Sequence, residues 1–343
     1  MLAPFDPNDA TVYDGIFGLP HTEEEARVVL VPVPFDATTS YRKGAAEGPQ
    51  TVLEASWQVD LWDGETGDPW KEGIAMLEEP EAIVRLNEAA QALASPIQHQ
   101  EDEALSHETL ERVNAIGEEL MVWVRDEVRS WLDRGKIVGV VGGDHASPLG
   151  AIMAVAERHP GLGVLHIDAH ADLRAAYQGF SHSHASIMHN VLTRVPGVAR
   201  ITQVGLRDLC ANEMQVIRGD DRLRSFFDHE MARAQFEGRS FASLTREIVA
   251  TLPRQVYVSF DIDGLDPSLC PGTGTPVPGG LSFHQASYLL GEVARSGRRI
   301  VGFDLCEVAP GADPSSIDGI VGARMLYKLI GWALRSADET GKA

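Results

Sequence analysis

The apolar run Gly161-Leu-Gly-Val-Leu165 passes directly into His166-Ile-Asp-Ala-His-Ala-Asp172, and no other stretch restricts the possible folds so tightly. A short run of this kind reads as a buried strand. Alternate residues on a strand share a face, so Asp168, His170 and Asp172 point the same way where the strand breaks into loop. Two carboxylates and an imidazole on one face make a divalent-cation arrangement. A single Asp or His there would suit a capped, solvated loop equally well. Three ligands at one strand end call for an α/β fold that gathers more of them nearby.

The remaining pattern agrees. Buried strands are expected at 27–32, 136–141, 199–205, 255–260 and 299–305, with a shorter one at 223–228. Helices are expected at 48–56, 80–94, 106–134, 148–158, 186–194, 243–252, 282–296 and 315–335. The long one carries Leu110, Val113, Ile116, Leu120, Val124, Val128 and Leu132 at helical spacing. Strand, polar loop, helix is the α/β grammar. The strand at 136–141 runs into Gly142-Gly-Asp-His145, the strand at 255–260 into Asp261-Ile-Asp263, and the last one into Glu307. In a parallel sheet the carboxyl ends of the strands line one edge, where ligands bind. The scattered motifs thus become one expected site.

The chain reads as an arm over 1–25, one catalytic domain over 26–337 and a short tail at 338–343. Residues 57–105, with Trp57, Trp62 and Trp70 among acids and glycines, read as an insertion. Neither a repeat nor a low-complexity linker argues for a second domain. The 343 residues carry a formal charge of −21, which argues against nucleic acid or an anionic membrane as partner and suits a cationic substrate. Cys210, Cys270 and Cys306 form neither a disulfide framework nor a zinc-type pair. With no signal-like N-terminus and no apolar run long enough to span a bilayer, the expected location is the cytoplasm.

His145, Asp168, His170, Asp172, Asp261 and Asp263 are too many ligands for one catalytic zinc and suit two metals sharing carboxylates. Imidazole and carboxylate without thiolate favour manganese, nickel or a similar ion. A two-metal centre activates water for hydrolysis near neutral pH. Even with two cations, four Asp and Glu307 leave such a site net negative, which repels phosphate and attracts cations. A guanidinium matches a carboxylate by paired hydrogen bonds, so Glu307 is a candidate clamp. His184, on the loop after the ligand strand, is a candidate proton shuttle, with His182 less favoured. His166 lies deeper in its strand and reads as core or as support for the ligands.

Gly142-Gly-Asp-His145, Asp168-Ala-His-Ala-Asp172, Ser259-Phe-Asp-Ile-Asp-Gly264 and the Glu307 strand resemble the ureohydrolase superfamily of arginases and agmatinases. The likeness runs from about Val28 to the last helix, and Pro34-Phe-Asp36 through Gly48-Pro49 resembles the agmatinase entry segment. It implies a three-layer α/β/α fold with a central parallel sheet and two Mn2+ ions, or alternatively two Ni2+. It implies that one metal takes His145, Asp168, Asp172 and Asp261, and the other His170, Asp168, Asp261 and Asp263. Asp172 would orient the attacking hydroxide, Glu307 hold the guanidinium and His184 assist proton transfer, giving urea and an amine. The resemblance also implies a homo-oligomer, a trimer or hexamer.

Two departures bear on the substrate. Arginases carry an Asn after the ligand triplet that reads the amino-acid head group. This chain has Ser181-His-Ser-His-Ala-Ser186 instead, which counts against arginine. The long 57–105 stretch leaves the tail pocket open between agmatine, free guanidine on a nickel centre, and a guanidino acid such as guanidinobutyrate. A single-zinc deacetylase would leave His145 without a metal, and a regulatory member would be expected to lose Asp172 or Glu307. The mouth is expected from the loops at 35–43, 173–184 and 206–208.

Overall fold

The site depends on one sheet, because four of its strands end in the candidate residues. The structure, a computed structural model, describes residues 5–9, 13–99, 107–311 and 317–340. Among them are the strands β1 (Val28–Val33), β2 (Ile74–Met76), β3 (Ile137–Gly142), β4 (Leu162–Ile167), β5 (Val198–Leu206), β6 (Leu223–Phe227), β7 (Gln255–Asp261) and β8 (Arg299–Cys306). They form one sheet in the order β2-β1-β3-β8-β7-β4-β5-β6, and every pairing is parallel. The four central strands β3, β8, β7 and β4 are thus neighbours, and their carboxyl ends lie side by side.

Helices cover both faces. Leu165 and Ile167 of β4 pack with α1 (Gly48–Ser56), α7 (Asp228–Phe236), α8 (Phe241–Ala250), α9 (Phe283–Arg295) and α10 (Ile317–Thr340). Leu162 and Val164 pack on the other face with α2 (Glu81–His99), α3 (His107–Asp133), α4 (Leu149–Arg158), α5 (Ile187–Arg194) and α6 (Ala211–Gly219). Strict alternation along a strand buried on both sides builds two apolar cores, and the result is the three-layer α/β/α architecture.

Several details differ from the expectation. The three-residue β2 pairs with β1 at the sheet edge and is too short to carry a period. The helices α6 and α7 are mostly polar, which hid them. The segment read as an arm contributes Ile16, Phe17 and Leu19 to the core, with the Phe17 ring 4.7 Å from that of Tyr327. Helix α2 continues past Ala94 to His99 with Pro96 inside it. Helix α10 runs through 338–340, into the expected tail. The expected arm at 1–4 and 10–12, the end of the insertion at 100–105 and the tail at 341–343 lie outside the described residues.

Candidate metal centre

Each ligand motif sits where a strand stops. After β3 the chain turns at Gly143, where a Cβ would lie 1.9 Å from the Phe35 carbonyl oxygen, so only glycine fits. His145 follows, fully buried, its amide donating to Glu307 Oε1 at 3.0 Å. Its Nδ1 faces three carboxylates: Asp168 Oδ2 at 2.9 Å, Asp261 Oδ2 at 3.2 Å and Asp172 Oδ2 at 3.4 Å. On the other side, Nε2 lies 2.9 Å from Ser259 Oγ, which donates to Asp304 Oδ1 at 3.2 Å. Partners of that kind fix the ring and its tautomer.

Asp168 joins this cluster to a second one. Its Oδ2 faces His145, while its Oδ1 accepts from the His170 amide at 2.5 Å and lies 3.5 Å from His170 Nδ1. His170 Nδ1 is also 3.0 Å from Asp263 Oδ2. Asp263 and Asp261 are braced by backbone: Asp263 Oδ1 accepts from the Ala169 amide, and Asp261 Oδ1 from the Asp263 amide. The six expected ligands therefore form two groups sharing Asp168. His166 supports them, its Nε2 lying 2.8 Å from Asp168 Oδ2 and its Nδ1 facing the Gln203 amide.

Electrostatics express the crowding. Burial favours neutral carboxyls and, with Asp168 nearby, pushes Asp172 up to about 7. Burial and the charges of Asp263 and Asp168 hold Asp261 well above the usual carboxylate range. Burial opposes protonation of His170, yet Asp263 and Asp168 push it up to about 12. Burial likewise opposes protonation of His145, and its three carboxylates outweigh it. In this buried cluster Asp172 and Asp261 attract protons, while despite burial His166 and His145 hold Asp168 well below the usual carboxylate range. Such a group is chemically suited to divalent cations, and its nitrogen and oxygen donors are those first-row ions take. The residues present fit two such ions.

Glu307 and His184 stand beside this centre. Glu307 is buried, its Oε2 has no hydrogen-bond partner among the described residues, and a Cβ on Gly274 would lie 3.3 Å from that oxygen. His184 Nδ1 is 3.7 Å from Glu307 Oε1, and Nε2 is 3.0 Å from Ser40 Oγ. Burial and the neighbouring His170 push His184 down to about 3, leaving it neutral at neutral pH. His182 points elsewhere, with Nε2 3.0 Å from Glu118 Oε2.

A cleft of about 430 Å³ opens above His170, Asp172 and His184. Ser40, Tyr41, Arg42, Arg174, Tyr177 and Asp208 come from the three loops expected at the mouth. Glu213 on α6 and Thr275, Pro276 and Val277 also line it, from outside the three expected loops. Thr275 carried no signal beyond a Gly- and Pro-rich loop, and Glu213 sat on a helix that was not expected. Glu213 is engaged locally, accepting from the Leu173 and Cys210 amides.

A family model described as the Arginase family matches residues 26–331. The N(1)-aminopropylagmatine ureohydrolase of Synechocystis sp. is 31% identical over 90% of this chain and 89% of its own. The enzyme of that name from Thermus thermophilus is 33% identical over 94% of this chain and 99% of its own. The solved agmatine ureohydrolase of Thermoplasma volcanium has the same fold, with a TM-score of 0.72 at 24% identity over 95% of this chain and 96% of its own. The chain therefore belongs to the arginase family, whose ureohydrolases are hydrolases of amidino C–N bonds.

Proposed function

We propose that this enzyme is a two-metal hydrolase of an agmatine-type guanidino compound, releasing urea and an amine. The observation that carries the reading is Glu307 Oε2, a buried carboxylate oxygen left without a partner among the described residues, beside the ligand groups. A buried acceptor of that kind costs free energy until something donates to it. A planar guanidinium donates to both oxygens of a carboxylate, and its charge suits a site so rich in Asp. Two divalent ions, held by His145, Asp168, Asp172 and Asp261 and by His170, Asp168, Asp261 and Asp263, would supply the Lewis acidity that makes water nucleophilic.

The chain's own groups do the rest. Glu307 orients the guanidinium so that its carbon faces Asp172. Asp172, at the floor of the cleft, holds the attacking oxygen by a hydrogen bond. His184, neutral and 3.7 Å from Glu307, relays to the departing amine nitrogen a proton given up by the attacking water. The cleft volume favours a tailed substrate, since free guanidine would leave most of it empty. Asp208, exposed on the cleft wall, suits a cationic tail end. Arg174 opposes it little, because its Nε lies 3.7 Å from Glu213 Oε2 and its guanidinium sits over the Tyr177 ring.

A second reading has one observation in its favour. Arg42 is exposed at the lip, its NH1 donating to the Pro271 carbonyl, and it could meet the carboxylate of a guanidino acid such as guanidinobutyrate. Urea release separates the readings, measured with manganese- and nickel-loaded enzyme on agmatine, aminopropylagmatine, guanidinobutyrate, guanidine and arginine. Turnover of the amine-tailed pair, abolished by chelation, is expected. Preference for guanidinobutyrate would move the tail contact to Arg42. Turnover of guanidine alone, with nickel, would overturn the tail argument.

A further inference from the structure

The segment after β1 brings Ser40 to the cleft, and it is fastened from behind by α2. Asn87, Gln91 and Gln98 stand at i, i+4 and i+11 on that helix, within about 40° of one another around its axis. Asn87 Oδ1 accepts from the Asp36 amide at 3.0 Å, and Gln91 Nε2 donates to Asp36 Oδ1 at 2.6 Å. Gln98 Nε2 donates to the carbonyl oxygens of Thr39 at 3.0 Å and Ala37 at 3.3 Å. Asp36 Oδ2 accepts from the Gly44 amide at 2.8 Å, which closes the loop on itself. Asp36 and Thr39 are buried, so their polar groups need such partners.

The residue after Thr39 is Ser40, whose hydroxyl meets His184 Nε2 at 3.0 Å. A neutral imidazole has one donor and one acceptor nitrogen. A serine hydroxyl can serve either one, so it can hold the ring without fixing its protonation. With Nε2 anchored on Ser40, Nδ1 is the nitrogen left facing Glu307. A displaced loop would free the ring to turn.

We propose that Ser40 is a positioning residue for His184, and that α2 sets its place from outside the cleft through Asn87, Gln91 and Gln98. The inference rests on the proton-transfer role proposed for His184. It gives the 57–105 stretch a function that needs no contact with substrate: the helix within it fastens the loop that orients a catalytic group.

The test uses Ser40→Ala, Ser40→Thr and the pair Gln91→Ala with Gln98→Ala in the full chain. Two readouts are taken: kcat and KM for urea release, and the side-chain 15N shifts of His184 in the ion-free protein, which need no turnover. Ser40→Ala is expected to lower kcat roughly tenfold, the scale of one hydrogen bond, with KM changed by less than about twofold. Ser40→Thr should restore it. The glutamine pair should lower kcat in the same direction and add nothing on top of Ser40→Ala. The His184 Nε2 signal should move in Ser40→Ala and in the glutamine pair, and stay in Ser40→Thr. An unmoved signal in Ser40→Ala, or losses that multiply, would overturn the inference. His184→Asn separates its failure from that of the underlying reading. If that variant keeps the parent kcat, both fall; if it loses turnover while Ser40→Ala does not, only the inference falls.

Discussion

Asp172 and Glu307 hold their backbones in the left-handed region, at φ 54° and 63°. That conformation is uncommon outside glycine and costs about 1–3 kcal/mol. In each, the strain accompanies a side chain turned to the centre: Asp172 beside His145, and Glu307 beneath His145 and next to His184. Glu307 belongs to neither ligand group, so its two expected effects can be separated. Glu307→Gln keeps the shape and removes the charge. Turnover of the best guanidino substrate should fall about 10²- to 10³-fold, the scale of losing one group that stabilises developing charge. Metal content measured by elemental analysis should stay at the parent stoichiometry. Loss of metal together with activity would make Glu307 a ligand, and unchanged turnover would remove it from the reaction.

Among the elements, α10 is held against the 61–67 segment by a half-buried charge cluster. Lys328 Nζ lies 2.7 Å from both Asp63 Oδ2 and Glu65 Oε2, and Glu65 also accepts from Ser287 on α9. Glu65 is 36% exposed, which weakens its share through solvent screening. Lys328→Met would leave Asp63 without its cation, and we expect a loss of about 1–2 kcal/mol, read as a melting temperature lower by a few degrees. An unchanged melting temperature would reduce the cluster to surface decoration. The same segment marks the limit of what the sequence reveals. β4 was legible because its apolar run is local information, but it stops at Ile167, so Asp168, His170 and Asp172 lie past the strand and are brought together by loop backbone, left-handed at Asp172, instead of by a strand's period of two. So were β3, β7 and β8, each an apolar run ending in acids or a histidine. β2 has three residues and takes its structure from β1. The buried face of the arm, Ile16 to Leu19, takes its place from Tyr327, more than three hundred residues away. In the site, ligand types were readable from spacing. The link of Asn87, Gln91 and Gln98 to Ser40 and His184 was not, because nothing in the polar positions of an amphipathic helix tells which loop they will face.

For the whole molecule, the decisive quantity is the competition between protons and cations at one buried point of a chain with formal charge −21. Without ions the folded centre binds protons that its residues would not hold in water. His170 is pushed up to about 12 and Asp172 to about 7, and His145 stands well above the usual histidine range. A metal takes the imidazole neutral and the carboxylate ionised, so each binding event must expel those protons. The sign follows. Lowering the pH raises the proton occupancy of Asp172 and leaves His145 and His170 charged, so apparent metal affinity falls. Raising the pH through about 7 empties Asp172 first, and affinity climbs. Titration calorimetry with Mn2+ at pH 6.5 and 7.5, each in two buffers of different ionisation heat, measures both the affinity and the protons released. We expect binding weaker by about tenfold or more at the lower pH, since one proton competed per unit gives a tenfold change, with net proton release at both. Affinity independent of pH, or no protons released, would mean that the cluster is held together by its own internal ion pairs and is not built to receive cations.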